Sequence, residues 1–237
     1  MRNIIIALVF IIISAQRGMA AHNPIDTTML WREMLKLEAV FRDTTHLAFN
    51  STIYLTDVDT ATVYDTLEVS YKLSKQRYRV EMDSTMILQN DFYHVALYNE
   101  QDLIMLSRPV PFGINLFQAK LTDPAFSQLH IQRLHATDSA GYRKLSFEFK
   151  TGSPYTQYDI IYDTTNYRIS KVEYEIKKDL VTPGSTDHYH VRIECSGYQT
   201  GTFTDSVFST NPYFNRINGV FNLLPPYSNY GFINSLN

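Results

Sequence analysis

Several stretches of this chain alternate charged and apolar residues with a period of two, and no other feature limits the possible folds so tightly. Leu67, Val69, Tyr71 and Leu73 fall on one side, with Glu68, Ser70 and Lys72 on the other. Tyr78, Val80 and Met82 oppose Arg77, Arg79, Glu81 and Asp83 in the next run. Downstream, Leu145, Phe147 and Phe149 oppose Lys144, Ser146, Glu148 and Lys150, and Val172, Tyr174 and Ile176 oppose Lys171, Glu173, Glu175 and Lys177. Val191, Ile193 and Cys195 oppose Arg192, Glu194 and Ser196. Side chains alternate across a strand, so each run has one face in water and one face covered, as in a large antiparallel sheet. What covers the apolar face, protein or ligand, is the functional question.

The length of 237 residues with 44% hydrophobic content suffices for one domain with a full core. A net charge of −3 and the lack of a Lys/Arg cluster exclude a nucleic-acid footprint. Arg2, the apolar run Ile4 to Ile13 and the ending Gly18-Met19-Ala20 have the three parts of a secretory signal peptide, residues 1–20, cleaved after Ala20. The run is too short to span about 30 Å of hydrocarbon, so the mature chain is expected in an exported compartment. The single cysteine, Cys195, can form no internal disulfide and reads as a small buried hydrophobe.

Leu30, Met34, Leu37 and Phe41 recur at helical spacing and predict one amphipathic helix over 28–45, with Asp26 or Thr27 as its N-cap. Strands are expected at 46–56, 62–73, 77–83, 85–90, 92–99 and 102–107, a meander of hairpins. Pro109-Val110-Pro111 interrupts the ladder, and 113–121 and 124–129 read as two short helices or turns, a lid-like insertion. The meander resumes at 130–136, 142–150, 156–163, 168–178 and 189–199, giving about eleven strands. From Gly201 to residue 237 aromatic residues follow without period, a C-terminal extension expected to pack irregularly on the body or to await a partner.

Signatures of catalysis are missing: there is no Gly-x-Ser-x-Gly elbow, His-Glu-x-x-His, P-loop or dinucleotide fingerprint, so an enzyme is not expected and no cofactor is implied. His188-x-His190 could pair two imidazoles on one strand face, but no third metal ligand is indicated. Asp57, Asp59, Asp65 and Glu68 fit a calcium-loop spacing, yet Ala61 and Thr62 stand where a ligand and a glycine are needed, so a polar hairpin loop is expected instead. His94, His130 and His135 read as structural histidines within strands. Asn50-Ser51-Thr52 matches a glycosylation sequon in mid-strand.

The strand "LEVSYKLSKQRYRVEM", the pair "FYHVALYNEQDLIML" and the insertion "VPFGINLFQAKLTDPAFSQLHI" follow one another in an order that resembles the periplasmic carriers of outer-membrane lipoproteins, the LolA-like superfamily. The resemblance covers roughly Leu30 to Gly197 and implies a mainly β, α+β fold. That fold is an unclosed antiparallel half-barrel, over residues 21–200, with an N-terminal helix and a short helical lid on its concave face. It also implies a periplasmic location and a cavity for the acyl chain of a lipid or lipoprotein. Those carriers place a lid-gating arginine before the strand matching Gln76 to Met82; here Ser74 stands at that position, followed by Lys75.

Burying an alkyl chain gains about 0.8 kcal/mol per CH₂, so an apolar groove can hold one without any specific hydrogen bond. The inward register then nominates as ligand contacts Phe49 and Ile53, Leu67, Val69 and Tyr71, Tyr78, Val80 and Met82, Phe147 and Phe149, and Tyr174 and Ile176. The helices add Met34, Leu37, Phe112 and Leu116. Each of these would serve equally as plain core between sheet and helix. The same fold could instead work as an envelope-assembly or secretion accessory, its groove filled by its own side chains and a protein partner engaged through the aromatic C-terminal segment. A small outer-membrane barrel is disfavoured by the helical insertion, the charged strand faces and the ending Asn234-Ser235-Leu236-Asn237.

Overall fold

A computed structural model describes residues 27–57, 62–110, 131–153, 155–178 and 187–236. Helix α1 (Thr27–Asp43) precedes β1 (Leu47–Asp57), β2 (Val63–Ser74), β3 (Arg77–Met82), β4 (Thr85–Gln89), β5 (His94–Tyr98) and β6 (Leu103–Ser107). Then come β7 (Ile131–Ser139), β8 (Tyr142–Phe149), β9 (Tyr155–Asp163), β10 (Ile169–Lys177) and β11 (His188–Thr200). The helix and all eleven expected strands are present within a residue or three of the ends that periodicity gives. The expected signal peptide, the Asp26 cap, His130 and the two short helices of the insertion, with Phe112 and Leu116, lie outside the described residues.

Three more strands correct the strand count: β12 (Phe214–Ile217), β13 (Val220–Leu223) and β14 (Gly231–Ser235). β12 and β13 form a separate hairpin, while twelve strands make one sheet in the order β14-β6-β5-β4-β3-β2-β1-β11-β10-β9-β8-β7. Among the described residues β14 and β7 are its free edges, so the sheet is unclosed. It is not wholly antiparallel, because β14 runs parallel to β6, with Phe232 beside Ile104 and Ile233 beside Met105.

Two tight turns show why the hairpins close where they do. Ala140 (φ 49°) with Gly141 (φ 83°), and Asn218 (φ 51°) with Gly219 (φ 85°), occupy the left-handed region at both central positions, as the right-handed strand twist requires of a two-residue loop.

The chain divides into two compact units. The first takes its described residues from 27–40, 51–67 and 131–196. On one face of its sheet Leu145 sits opposite Ile160 and Phe147 opposite Tyr158, while Tyr158 and Ile160 face Tyr174 and Val172, and Tyr174 in turn faces Val191. All of these are buried, as are Met34 and Leu37 of α1, Ile53 and Leu67. The other face carries the Lys144–Asp159, Lys171–Glu173 and Arg192–Glu194 ion pairs.

The second unit takes 41–50, 68–110 and 197–236. Its core gathers Met86, Leu88, Val95, Leu97, Ile104 and Leu106 from β4–β6 with Tyr213 and Phe214, and Tyr93, Phe221, Tyr227, Tyr230 and Phe232 pack around it. The C-terminal segment therefore contributes regular strands and core side chains, where the sequence pattern predicts no period.

Candidate functional site

Strand register sets out the inward face of the second unit as three cross-strand rows. The middle row runs Tyr71, Val80, Ile87, Ala96, Met105 from β2 to β6 and continues to Ile233 of β14. Beside it lie Val69, Met82, Thr85, Tyr98 and Leu103 on one flank, and Leu73, Tyr78, Gln89, His94 and Ser107 on the other. The expected contacts Val69, Tyr71, Tyr78, Val80 and Met82 thus share one face. Ile87, Ala96, Tyr98, Leu103 and Met105 extend it, and pattern reasoning missed them. The C-terminal cluster covers the opposite face, since Met86, Leu88, Val95, Leu97, Ile104 and Leu106 alternate with the rows above.

This inward face is electrically neutral. Burial pushes the Tyr78 hydroxyl up to about 12, raises that of Tyr98 and lowers the pKa of His94, so none of the three carries charge near neutral pH. Along the middle row Tyr71 and Ile87 are half-buried, Val80 and Ala96 buried, and only the β6–β14 end is open, with Met105 (38%) and Ile233 (45%) exposed. Phe49 stacks on Tyr71 at 4.5 Å and on Tyr198 at 5.0 Å, with Phe41 edge-on at 5.6 Å. At the polar end, Gln89 donates to the carbonyls of Gln76 (2.9 Å) and Val110 (2.7 Å) and accepts from the Val110 N–H (2.8 Å), which fixes the chain leaving β6.

In the first unit the expected contacts are shut from water by the chain itself. Leu37 and Phe147 have no exposure, and Met34, Ile53, Leu67, Phe149, Tyr174 and Ile176 are buried. Tyr158 and Tyr174 stack at 5.3 Å, Tyr155 meets both edge-on, and burial pushes all three phenols up, that of Tyr158 well above its ordinary value.

One buried carboxylate ties α1 to this sheet. Glu33 accepts hydrogen bonds from the Tyr162 hydroxyl and from Lys36 (3.1 Å) and pairs with Arg143 at 3.2 Å. Arg143 also grips Asp138 with two bonds of 2.6 and 2.8 Å, and Lys36 donates to Tyr167 at 2.9 Å. Burial alone raises the Glu33 pKa, but the bonds from Tyr162 and Lys36 and the charges of Lys36 and Arg143 outweigh it and hold the carboxyl below its ordinary range. Sequence offered a signal: Glu33 interrupts the apolar stripe of α1, one residue before Met34 and four before Leu37.

Among the described residues the weighed metal sites have other work or no third ligand. Asp57 accepts from Lys178 (2.6 Å) and Tyr64 (2.7 Å), and Asp65 lies in β2, where a calcium loop would require a helix; Asp59 is outside the described residues. His188 and His190 face Lys177 and Glu175 across β10. Among the described residues no three His, Cys, Asp or Glu side chains converge to hold a metal ion. His94 meets Ser107 Oγ at 3.2 Å, His135 is exposed beside Glu148 at 3.3 Å, and Cys195 is half-buried.

No family model matches the sequence, and no curated protein matches it either. Among solved structures, an uncharacterised conserved protein from Thermus thermophilus is similar at 9% identity and TM-score 0.48, over 87% of this chain and 99% of that one. A LolA superfamily protein from Nitrosomonas europaea is similar at 11% identity and TM-score 0.35, over 76% and 97% of the two chains. The Pseudomonas aeruginosa MucA/MucB complex contains a chain similar at 11% identity and TM-score 0.44, over 76% of this chain and 60% of that one. The second of these carries the name of the superfamily that the strand order resembles.

Proposed function

We propose that this chain is an exported carrier that binds the acyl chain of a lipid or lipoprotein on the inward face of β2–β6. The observation that carries the reading is the neutral apolar row Tyr71-Val80-Ile87-Ala96-Met105, which is buried or half-buried as far as Ala96, opens at Met105 and holds no charged side chain. An alkyl chain laid along such a row exchanges water for apolar contact and requires no polar partner. The aromatic face of the first unit then serves as the rigid core, and α1 is pinned on it through Glu33. No helix among the described residues is long and apolar enough to cross a membrane.

A second reading, an envelope accessory working through protein contacts, draws on Ile217 and Val220 at the tip of the β12–β13 hairpin, both more than half exposed. Native mass spectrometry of detergent-free protein purified from its exported compartment, followed by organic extraction, separates the two. A co-purifying fatty-acyl mass that is lost in Val80→Asp or Ala96→Asp, both folded by circular dichroism, supports the carrier. An apo mass that also ignores added phospholipid and fatty acid overturns it in favour of the accessory.

A further inference from the structure

The two edges of the twelve-stranded sheet differ in how they treat approaching strands. β7 carries Arg133, His135 and Asp138, and these pair with Glu148 and Arg143 of β8, so its edge is guarded by charge. β14, Gly231-Phe-Ile-Asn-Ser235, has no charged residue, no proline and no bulge against β6. Strand edges are ordinarily blunted by just those features, because a bare row of N–H and C=O groups templates another strand. The neutrality extends well beyond β14. After Asp205 the sequence contains no acidic residue, and Arg216 is its only base, already over the Phe221 ring at 5.2 Å.

We propose that β14 is a self-association edge, on which a second copy of this chain pairs its own β14 antiparallel about a two-fold axis through Ile233. The edge is self-complementary. Centring on Ile233 sets Phe232 opposite Asn234 and Gly231 opposite Ser235, and no pairing brings like charges together. It also joins two exposed apolar pairs on one sheet face, since Ile233 and Met105 are adjacent in register. The middle rows of the two copies then run end to end. The inference stands apart from the carrier reading, because it rests on the edge and not on any cargo.

A five-residue strand pair buries little area, so the association falls at the weak end of specific interfaces. Sedimentation velocity on the lipid-free full chain, from about 1 μM to about 1 mM, should show a reversible monomer–dimer equilibrium. Ile233→Lys should weaken it by about tenfold or more without changing the circular dichroism spectrum. Directly opposed residues of an antiparallel pair lie about 4.5–5.5 Å apart between Cα atoms, so Ile233→Cys should cross-link to itself on oxidation. Ser235→Cys faces Gly231 in this register and should not. A monomer throughout the range, a dimer indifferent to Ile233→Lys, or cross-linking as ready through Ser235→Cys overturns the proposal. Wild-type protein, in which Cys195 is the only thiol, sets the cross-linking background.

Discussion

Replacing Tyr162 with phenylalanine removes one hydroxyl from the Glu33 cluster and should lower the melting temperature by about 3–6 °C at neutral pH. The Glu33 side chain is 8% exposed, accepts hydrogen bonds from Tyr162 and Lys36 and pairs with Arg143. A hydrogen bond to a charged group contributes about 1.5–3 kcal/mol, and the low end applies because Lys36 and Arg143, both partly in water, still serve the carboxylate. At about 1.5 kcal/mol, a chain of this size shifts by about 2–4 °C per kcal/mol. Glu33→Leu should cost more, about 2–3 kcal/mol, because it leaves the Tyr162 hydroxyl and the inner side of Arg143 without their acceptor. The double variant should cost less than the sum of the two. The acid limb carries the signature. A carboxyl whose folded pKa lies below its ordinary value adds stability above the unfolded pKa and loses it as pH falls through the folded value. The gap between wild type and Tyr162→Phe should therefore narrow to under about half as pH is taken from about 7 to about 2. Thermal unfolding followed by circular dichroism reads all of this. A gap under about 1 °C at neutral pH, or one that does not narrow in acid, would refute the cluster as the tie between helix and sheet.

Raising the pH tests the buried phenols. Folded pKa values of Tyr78, Tyr158 and Tyr174 lie above the ordinary 10, so their contribution is intact below 10 and lost as pH rises above it, up to about 1.4 kcal/mol per pH unit each. The tyrosinate absorbance of the buried phenols should appear together with loss of secondary structure, whereas smooth titration of all 17 tyrosines in a folded chain would contradict their burial. Phe214→Ala opens a cavity under β4–β6 and should cost about 3–5 kcal/mol in urea unfolding; a change under about 1 kcal/mol would mean that the C-terminal segment is not core. Ser51 is 2% exposed on β1 and its Oγ has no hydrogen-bond partner among the described residues, so Ser51→Ala should raise the melting temperature by about 1–3 °C. A fall on that substitution would show that the hydroxyl is bonded after all.

Local pattern specified the strands wherever one face meets water. β2, β3, β8 and β10 alternate in sequence, and apart from Ser74 and Ile169 their buried residues are those the alternation selects. α1 is equally legible, since Met34, Leu37 and Phe41 are its buried apolar residues among those described, at helical spacing. β4, β5 and β6 gave no such guide to the site. Thr-Met-Ile-Leu-Gln, His-Val-Ala-Leu-Tyr and Leu-Ile-Met-Leu-Ser are apolar on both sides because the C-terminal cluster covers one face while the other forms the inward rows. From such a run a strand can be named, but its inward residues cannot. The β12–β13 hairpin had a signal in Asn218-Gly219 between Ile217 and Val220, a favoured pair for a two-residue turn.

By itself, then, the sequence determined a mainly β chain with one amphipathic helix, the limits of its first eleven strands and their apolar registers, because each follows from neighbours a few residues apart. Tertiary structure alone decided which runs lie side by side. Ile87 beside Val80, Ala96 beside Ile87, Glu33 beneath Tyr162 and β14 parallel to β6 join residues across turns or across most of the chain. No local period encodes such pairings, since they are set by which faces can be buried together once every strand has formed.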